Sequence, residues 1–317
     1  MRRSCRNRSA VILMFAATLF GTHSSALRAQ NSTAPDASLA RHDFFYAGEA
    51  KQERMFIVRK GQVEWSYTHP GEGEISDAVL LANGHVLFAH QHAITEIDQQ
   101  HHVVWNHDAA PDTEIHTAQP YGSNSVVFVQ NGNPAKAIVM NKKTGAIEHQ
   151  FTLQVAHPEN IHPQFRRMRV TPTGSLLVAH MDMGKVVEYD ITGKPLWSVD
   201  APGLWDAELL ANGNVLISGN QNKYAREVNR NGETVWEFTA ADAPELNLAN
   251  MQTATRLKNG NTLITQWVNK WSGPIDTAGA PIQAVEVTPE KKVVWVLRSW
   301  TPPADLGPST TIQILDN

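Results

Sequence analysis

Short apolar runs recur along this chain, each closed by a turn signal and followed by another run. Val79-Leu80-Leu81 leads through Asn83-Gly84 to Val86-Leu87-Phe88; Asn212-Gly213 precedes Val215-Leu216-Ile217, and Asn259-Gly260 precedes Thr262-Leu263-Ile264. Runs rich in Val, Ile, Leu and Phe, bounded by Asn-Gly, predict strands joined by two-residue hairpins. A third and a fourth run follow each pair, and the fourth ends near a tryptophan. Asp98 to Trp105, Asp190 to Trp197, Asn229 to Trp236 and Thr288 to Trp295 are each seven residues apart, and Val58 to Trp65 repeats the interval upstream.

Five segments align on this pattern: 77–108, 117–151, 167–200, 206–238 and 253–297. Each predicts four antiparallel strands. Their apolar positions are consecutive rather than alternate, so both faces of each sheet are covered. Four-stranded units of about 40–50 residues, stacked face to face, are the blades of a β-propeller. The segment 44–67 has the last three strands of a unit and lacks the first, while 310–315 is one strand with nothing after it. Joined, they complete a sixth blade and remove the free edges of an open ring. The expectation is an all-β, six-bladed propeller of four-stranded antiparallel blades over 42–317, closed by pairing the C-terminal strand with the N-terminal strands. The repeated tryptophans read as packing residues.

The amino terminus is of another kind. Arg2, Arg3, Arg6 and Arg8 precede an 11-residue apolar run at 10–20, and small residues follow at Ser24-Ser25-Ala26 and Ala29. This pattern predicts a secretory signal peptide over 1–29 and a disordered lead-in over 30–41. The apolar run is about half the roughly 20 residues of a membrane helix, so no membrane span is expected after cleavage, and the protein is placed in the periplasm or outside the cell by either export route, Sec or Tat. The one cysteine, Cys5, falls inside the leader, so disulfides cannot stabilise the mature chain. Overall charge is −4, from 27 basic and 31 acidic residues, but five arginines lie in the first 30 residues. Without them the balance is 22 against 31, which excludes a basic nucleic-acid groove. A monomer is expected.

In a propeller the Asn-Gly turns and the third turns share one face, and the middle loops and blade connections share the other. The second set is longer and more varied, and is where a channel-mouth site is expected. The positions just past the second strands are polar in successive blades: His90, His92, Gln130, His180, Asn220, Gln266 and then Trp267. The connections and the starts of the first strands add His116, His162, Arg166, Trp205, Asp206 and Gln252, and a 12-residue insertion within 267–281 carries Trp271. His90, His116 and His180 are the candidate catalytic residues; the others are candidate ligand-binding residues for a small polar or anionic ligand or an envelope protein. The His90-x-His92 pair with His116 and His180 has no carboxylate at a ligand spacing, so no metal is assigned. No dinucleotide, Walker, nucleophile-elbow or zincin motif is present, and no cofactor is indicated.

LKNGNTLI (257–264), LANGNVLI (210–217) and EVNRNGETVWEF (227–238) resemble the repeats of the arylsulfotransferase-like and pyrroloquinoline-quinone-like bacterial propeller superfamily. EYDITGKPLWS (188–198) is similar to the tryptophan-docking pattern of quinoprotein propellers, whereas the third blade has Glu148 where the tryptophan would stand. These motifs specify a blade rather than a reaction. The resemblance implies a ligand-binding or interaction scaffold. An alternative it implies is an arylsulfotransferase-like enzyme with a mouth-face histidine nucleophile, and a weaker one is a quinone-binding oxidoreductase. The quinone dehydrogenases have eight blades and a vicinal cysteine pair, both missing here.

Overall fold

Each Asn-Gly pair ends a three-residue connection, one residue longer than the sequence suggests. Gly84 N–H donates to Leu81 O at 2.9 Å and Leu81 N–H to His85 O at 2.8 Å. Gly84 alone takes positive φ, at +85°, while the Asn83 side chain caps the turn by accepting from His85 N–H at 3.0 Å. A type I turn followed by one left-handed residue satisfies every contact of this kind, and Gly213 and Gly260 repeat it at φ +86° and +87°. The third turns of blades two, four, five and six are built alike, with His101 and Lys291 in the glycine position of two of them.

The computed structural model describes residues 38–48, 53–220, 222–268, 276–277, 279, 281–302 and 304–316. These form six four-stranded antiparallel sheets and two single-turn 3₁₀ segments, an all-β six-bladed propeller. The innermost strands are Thr311–Ile314, Asp77–Leu80, Glu114–Tyr121, Phe165–Val170, Leu204–Leu209 and Met251–Arg256, for blades one to six. Blade one is the composite: Thr311–Ile314 pairs antiparallel with Phe44–Gly48, with Ile312 opposite Tyr46. No helix among the described residues is long and apolar enough to cross a membrane.

Second and third strands are buried on both faces, as their continuous apolar runs require. Their side chains form apolar layers between neighbouring blades, for example Phe45, Met55 and Ile75 against Val86 and Phe88. The tryptophans bridge blades at the rim. Trp65 Nε1 donates to Gln99 O, Trp197 to Arg230 O, Trp236 to Pro289 O and Trp295 to Ser38 O, at 2.7–3.1 Å. Opposite four of the tryptophans stands a buried glutamate: Glu96, Glu188, Glu227 or Glu286. Glu227 takes Asn212 and Asn214 of its own turn and Arg256 of the next blade, so one carboxylate ties a hairpin to its neighbour. Leu39, assigned by sequence to the lead-in, is 3% exposed within the layer of Phe44, Tyr46 and Trp295.

Candidate functional site

Ring position follows from strand register. Ala78, Ala118, Met168, Ala207, Ala254 and Ile312 hold the same place in their blades, opposite Phe88, Phe128, Val178, Ile217, Ile264 and Tyr46 near the middle of each second strand. Two residues earlier stand Ser76, His116, Arg166, Trp205, Gln252 and Thr310, a circle at the mouth end of the channel. In four blades the innermost strand breaks register at this place: His116, Arg166-Arg167, Trp205 and Gln252-Thr253 are all skipped in the pairing with the second strand. A bulge adds a residue without a ladder partner and re-aims its side chain. Repeated in four of the six blades, it sets His116, Arg166, Trp205 and Gln252 apart from the ladder at the same level of the channel.

One half of this rim is bonded to itself. His116, fully buried, places Nε2 2.7 Å from Glu114 Oε2 and Nδ1 3.0 Å from both Glu74 Oε1 and Ser76 Oγ. His162 Nδ1 reaches the same Glu114 oxygen at 2.8 Å, and Arg166 Nη2 lies 2.6 Å from His162 Nε2 and 3.2 Å from Glu74 Oε1. A guanidinium only donates, so His162 Nε2 is an acceptor and its proton sits on Nδ1, facing Glu114. Burial alone would raise both carboxylates. Hydrogen bonds from His116 and the charge of Arg166 reverse this for Glu74, and hydrogen bonds from His116, His162 and Gln91 do so for Glu114, holding each well below the carboxylate range. Burial and Arg166 push the His116 imidazolium down, against the two carboxylates.

The other half carries donors and acceptors with no protein partner: Arg166 Nε, Trp205 Nε1, both amide atoms of Gln252 and Asn220 Oδ1. The Arg166 guanidinium stacks over the Trp205 ring at 5.6 Å. Each buried polar atom left unpaired costs about 1–3 kcal/mol, so such groups are met in folded proteins by ordered water or by ligand atoms.

The residues named from sequence divide accordingly. His116, His162, Arg166, Trp205 and Gln252 come together on the rim. His180 is buried in blade four, its Nδ1 3.0 Å from Gln154 O and its Nε2 3.0 Å from Tyr189 Oη. His90 bonds Thr95 Oγ1 at 3.0 Å and packs on His69 with ring centroids 4.3 Å apart. Gln266 is held by Ala249 N–H and Ile282 O, and Trp267 keeps Nε1 without a partner. His92 is exposed and Gln130 half-buried. Asp206 sits one step deeper, 3.0 Å from Arg169. Trp271 lies outside the described residues. Sequence reasoning missed Glu74, Ser76 and Glu114. The signal was the alignment of Glu74-Ile75-Ser76 with Glu114-Ile115-His116 at the starts of blades two and three.

Below the rim the channel is closed by charge. Arg167, fully buried, reaches from blade four to the Asp77 carboxylate, to Thr310 O at 2.5 Å and to Thr311 Oγ1 at 2.9 Å. Arg169 bridges Asp77 at 3.2 Å and Asp206 at 3.0 Å. Beyond this plug, on the Asn-Gly turn face, a cavity of about 540 Å³ is lined by Asp77, Gln119, Arg169, Thr255, Ile312 and Gln313. Two of its cations are paired, Arg169 with Asp77 across the cavity and Arg256 with Glu227 of the preceding blade.

Burial holds His90 and His180 to about 4, with His69 adding to the effect at His90. Both are neutral when folded, whereas the unfolded imidazole titrates near 6.5. The folded state binds fewer protons below that value, so stability is complete above pH 6.5, falls as pH drops, and stops falling near pH 4. The expected loss is on the order of 2–3 kcal/mol per histidine. Urea midpoints between pH 7 and 4.5 check it: His90→Phe and His180→Phe are expected to flatten the slope, and an unchanged slope contradicts the assignment.

The fold and its mouth define a closed six-bladed propeller with a bulged, polar rim, half of it an imidazole–carboxylate cluster and half of it unpaired donors and acceptors. Residues 154–269 match the PQQ_2 family, outer membrane protein assembly factor BamB. No functionally curated protein matches the chain. A crystal structure of a protein of unknown function from Bacteroides caccae is similar over 87% of this chain and 100% of its own, at 23% identity and a TM-score of 0.74. A streptogramin B lyase matches at 12% identity and 0.55, over 84% and 85%. A catalytically inactive virginiamycin B lyase from Staphylococcus aureus, in complex with quinupristin, matches at 14% and 0.54, over 81% and 85%. At these identities the structures share the fold. The family match places pyrroloquinoline-quinone-like repeats within residues 154–269, and the neighbours share the propeller fold.

Proposed function

We propose that this chain is an exported binding module whose mouth takes a small polar anion with an aromatic or sugar-like body. The observation that carries this is the set of buried, unpaired polar atoms on Arg166, Trp205 and Gln252, each at the bulge of an innermost strand, with Asn220 just past the second strand of the Trp205 blade. Arg166 supplies the charge for an anionic head, Trp205 a face for a flat ring, and Gln252 one donor and one acceptor. Export rests on the charged, apolar and small-residue order of residues 1–29. An envelope protein docking on the same face is the broader form of this reading.

The test is calorimetry on tag-free, metal-free protein with aryl sulfates, sugar phosphates and dicarboxylates. A binder is expected in this set, weakened tenfold or more by Arg166→Gln and by Gln252→Ala, a tenfold change being about 1.4 kcal/mol. No binding by any of these classes contradicts the proposal.

A second reading has one observation in its favour. Glu114 orients His162 through Nδ1, as a nucleophilic or acid–base histidine requires, and Nε2 becomes available once a substrate's charged group draws the Arg166 guanidinium off it. His162 is half-exposed, whereas His116 has both ring nitrogens engaged and His90 and His180 are pinned inside blades. An arylsulfotransferase-like activity would move a sulfuryl group from an aryl sulfate to a phenol, and His162→Ala would abolish it. Absence of turnover in the wild type removes this reading and leaves the binding one.

A further inference from the structure

The imidazole–carboxylate half of the rim gathers several acceptors around one buried ring. His116 faces Glu74 through Nδ1 and Glu114 through Nε2, at 3.0 and 2.7 Å. Ser76 Oγ lies 3.1 Å from Glu74 Oε1 and 3.0 Å from His116 Nδ1. Ligand atoms of Glu74, His116 and His162 already lie within 4.8 Å of one another, and Glu114 Oε2 touches both imidazoles.

We infer that Glu74, His116 and His162, with Glu114 beside them, form a binding site for a first-row divalent cation, with Zn²⁺ the best match. Two imidazoles with one or two carboxylates are the donor set Zn²⁺ takes, at bond lengths of about 2.0–2.2 Å. Ligand atoms around such an ion stand roughly 3.3–3.6 Å apart, so a modest side-chain adjustment closes the cluster. The Glu74 and His116 positions are fixed by the starts of the innermost strands of blades two and three, and His162 comes from the connection into blade four. His162 is 48% exposed, which gives the ion a path from solvent. The Arg166 guanidinium, 3.2 Å from Glu74 Oε1, competes with the ion for that oxygen. The site goes beyond the ligand reading above and does not rest on it: anion binding is measured without metal, and Arg166→Gln acts on the two with opposite sign.

The experiment is titration of EDTA-treated, tag-free full-length protein with ZnCl₂, and with MnCl₂ for comparison. Expected are one equivalent of Zn²⁺ per chain, a tenfold or greater loss of affinity in His162→Ala and in Glu74→Gln, and a gain in Arg166→Gln. The half-exposed His162 makes its variant the one surest to fold, and a thermal melt without metal verifies each protein. His101→Ala with His102→Ala, on exposed turn residues, is expected to leave the high-affinity equivalent intact. No saturable binding overturns the inference. So does an affinity that either ligand substitution leaves within threefold, or one that Arg166→Gln fails to raise.

Discussion

Removal of residues 310–317 is expected to destroy cooperative folding rather than trim a terminus. Thr311–Ile314 is the innermost strand of blade one, paired along Phe44–Gly48, and its loss opens the strand-paired seam that closes the ring. Ile312 leaves the layer of Phe44 and Phe56, Thr310 ceases to bond Ala47 O and Ile75 O, and Gln313 releases both backbone groups of Leu80. A buried apolar side chain contributes about 2 kcal/mol and each net hydrogen bond about 1, so the sum is a large part of the 5–15 kcal/mol of a typical domain. The measurement is a thermal melt with gel filtration: a broad, early transition and aggregated protein are expected. A truncation stopping after Leu315 is the control and should melt within a few degrees of the full chain. If the long truncation does the same, the composite blade does not close the ring.

Arg167→Met is expected to cost about 3–5 kcal/mol, the range for breaking a buried ion pair by removing one partner. Asp77 is 1% exposed and would keep only Arg169, Thr117 and Gln119. Replacing both charges, in Asp77→Leu with Arg167→Met, should recover much of the loss, because paired removal leaves no buried charge without a partner: Arg169 keeps Asp206. Urea unfolding of the two single variants and the double variant closes the cycle. Additive losses would mean that the two groups do not act as a pair across the channel.

The blade was legible in sequence because its signals are local. Asn-Gly sets the first hairpin, the seven-residue interval to tryptophan sets the fourth strand, and both follow from steric and packing rules acting over a few residues. The turn length was misread by one residue because Asn-Gly serves both the two-residue loop and the type I turn ending in a left-handed glycine, and only the bonds from Leu81 and Gly84 distinguish them. The rim was legible in part. Polar residues just past a second strand mark the mouth face, yet they do not mark the axis: His90 and His180 occupy equivalent positions and both turn into their blades. What selects His116, Arg166, Trp205 and Gln252 is the bulge in the innermost strand, and a bulge is a property of pairing between strands. Glu74 and Glu114 were missed for a related reason. Each looks like an ordinary loop acid until the register places it beside an imidazole from the neighbouring blade or connection.

The central claim is that the bulged rim, and not the cavity on the turn face, is where this propeller binds its ligand. A crystal structure of the protein with the tightest anion from the calorimetric set tests it most directly. The account predicts density within hydrogen-bond distance of Arg166, Trp205 Nε1 and the Gln252 amide. Density confined to the cavity between Arg169, Thr255 and Gln313 would contradict it.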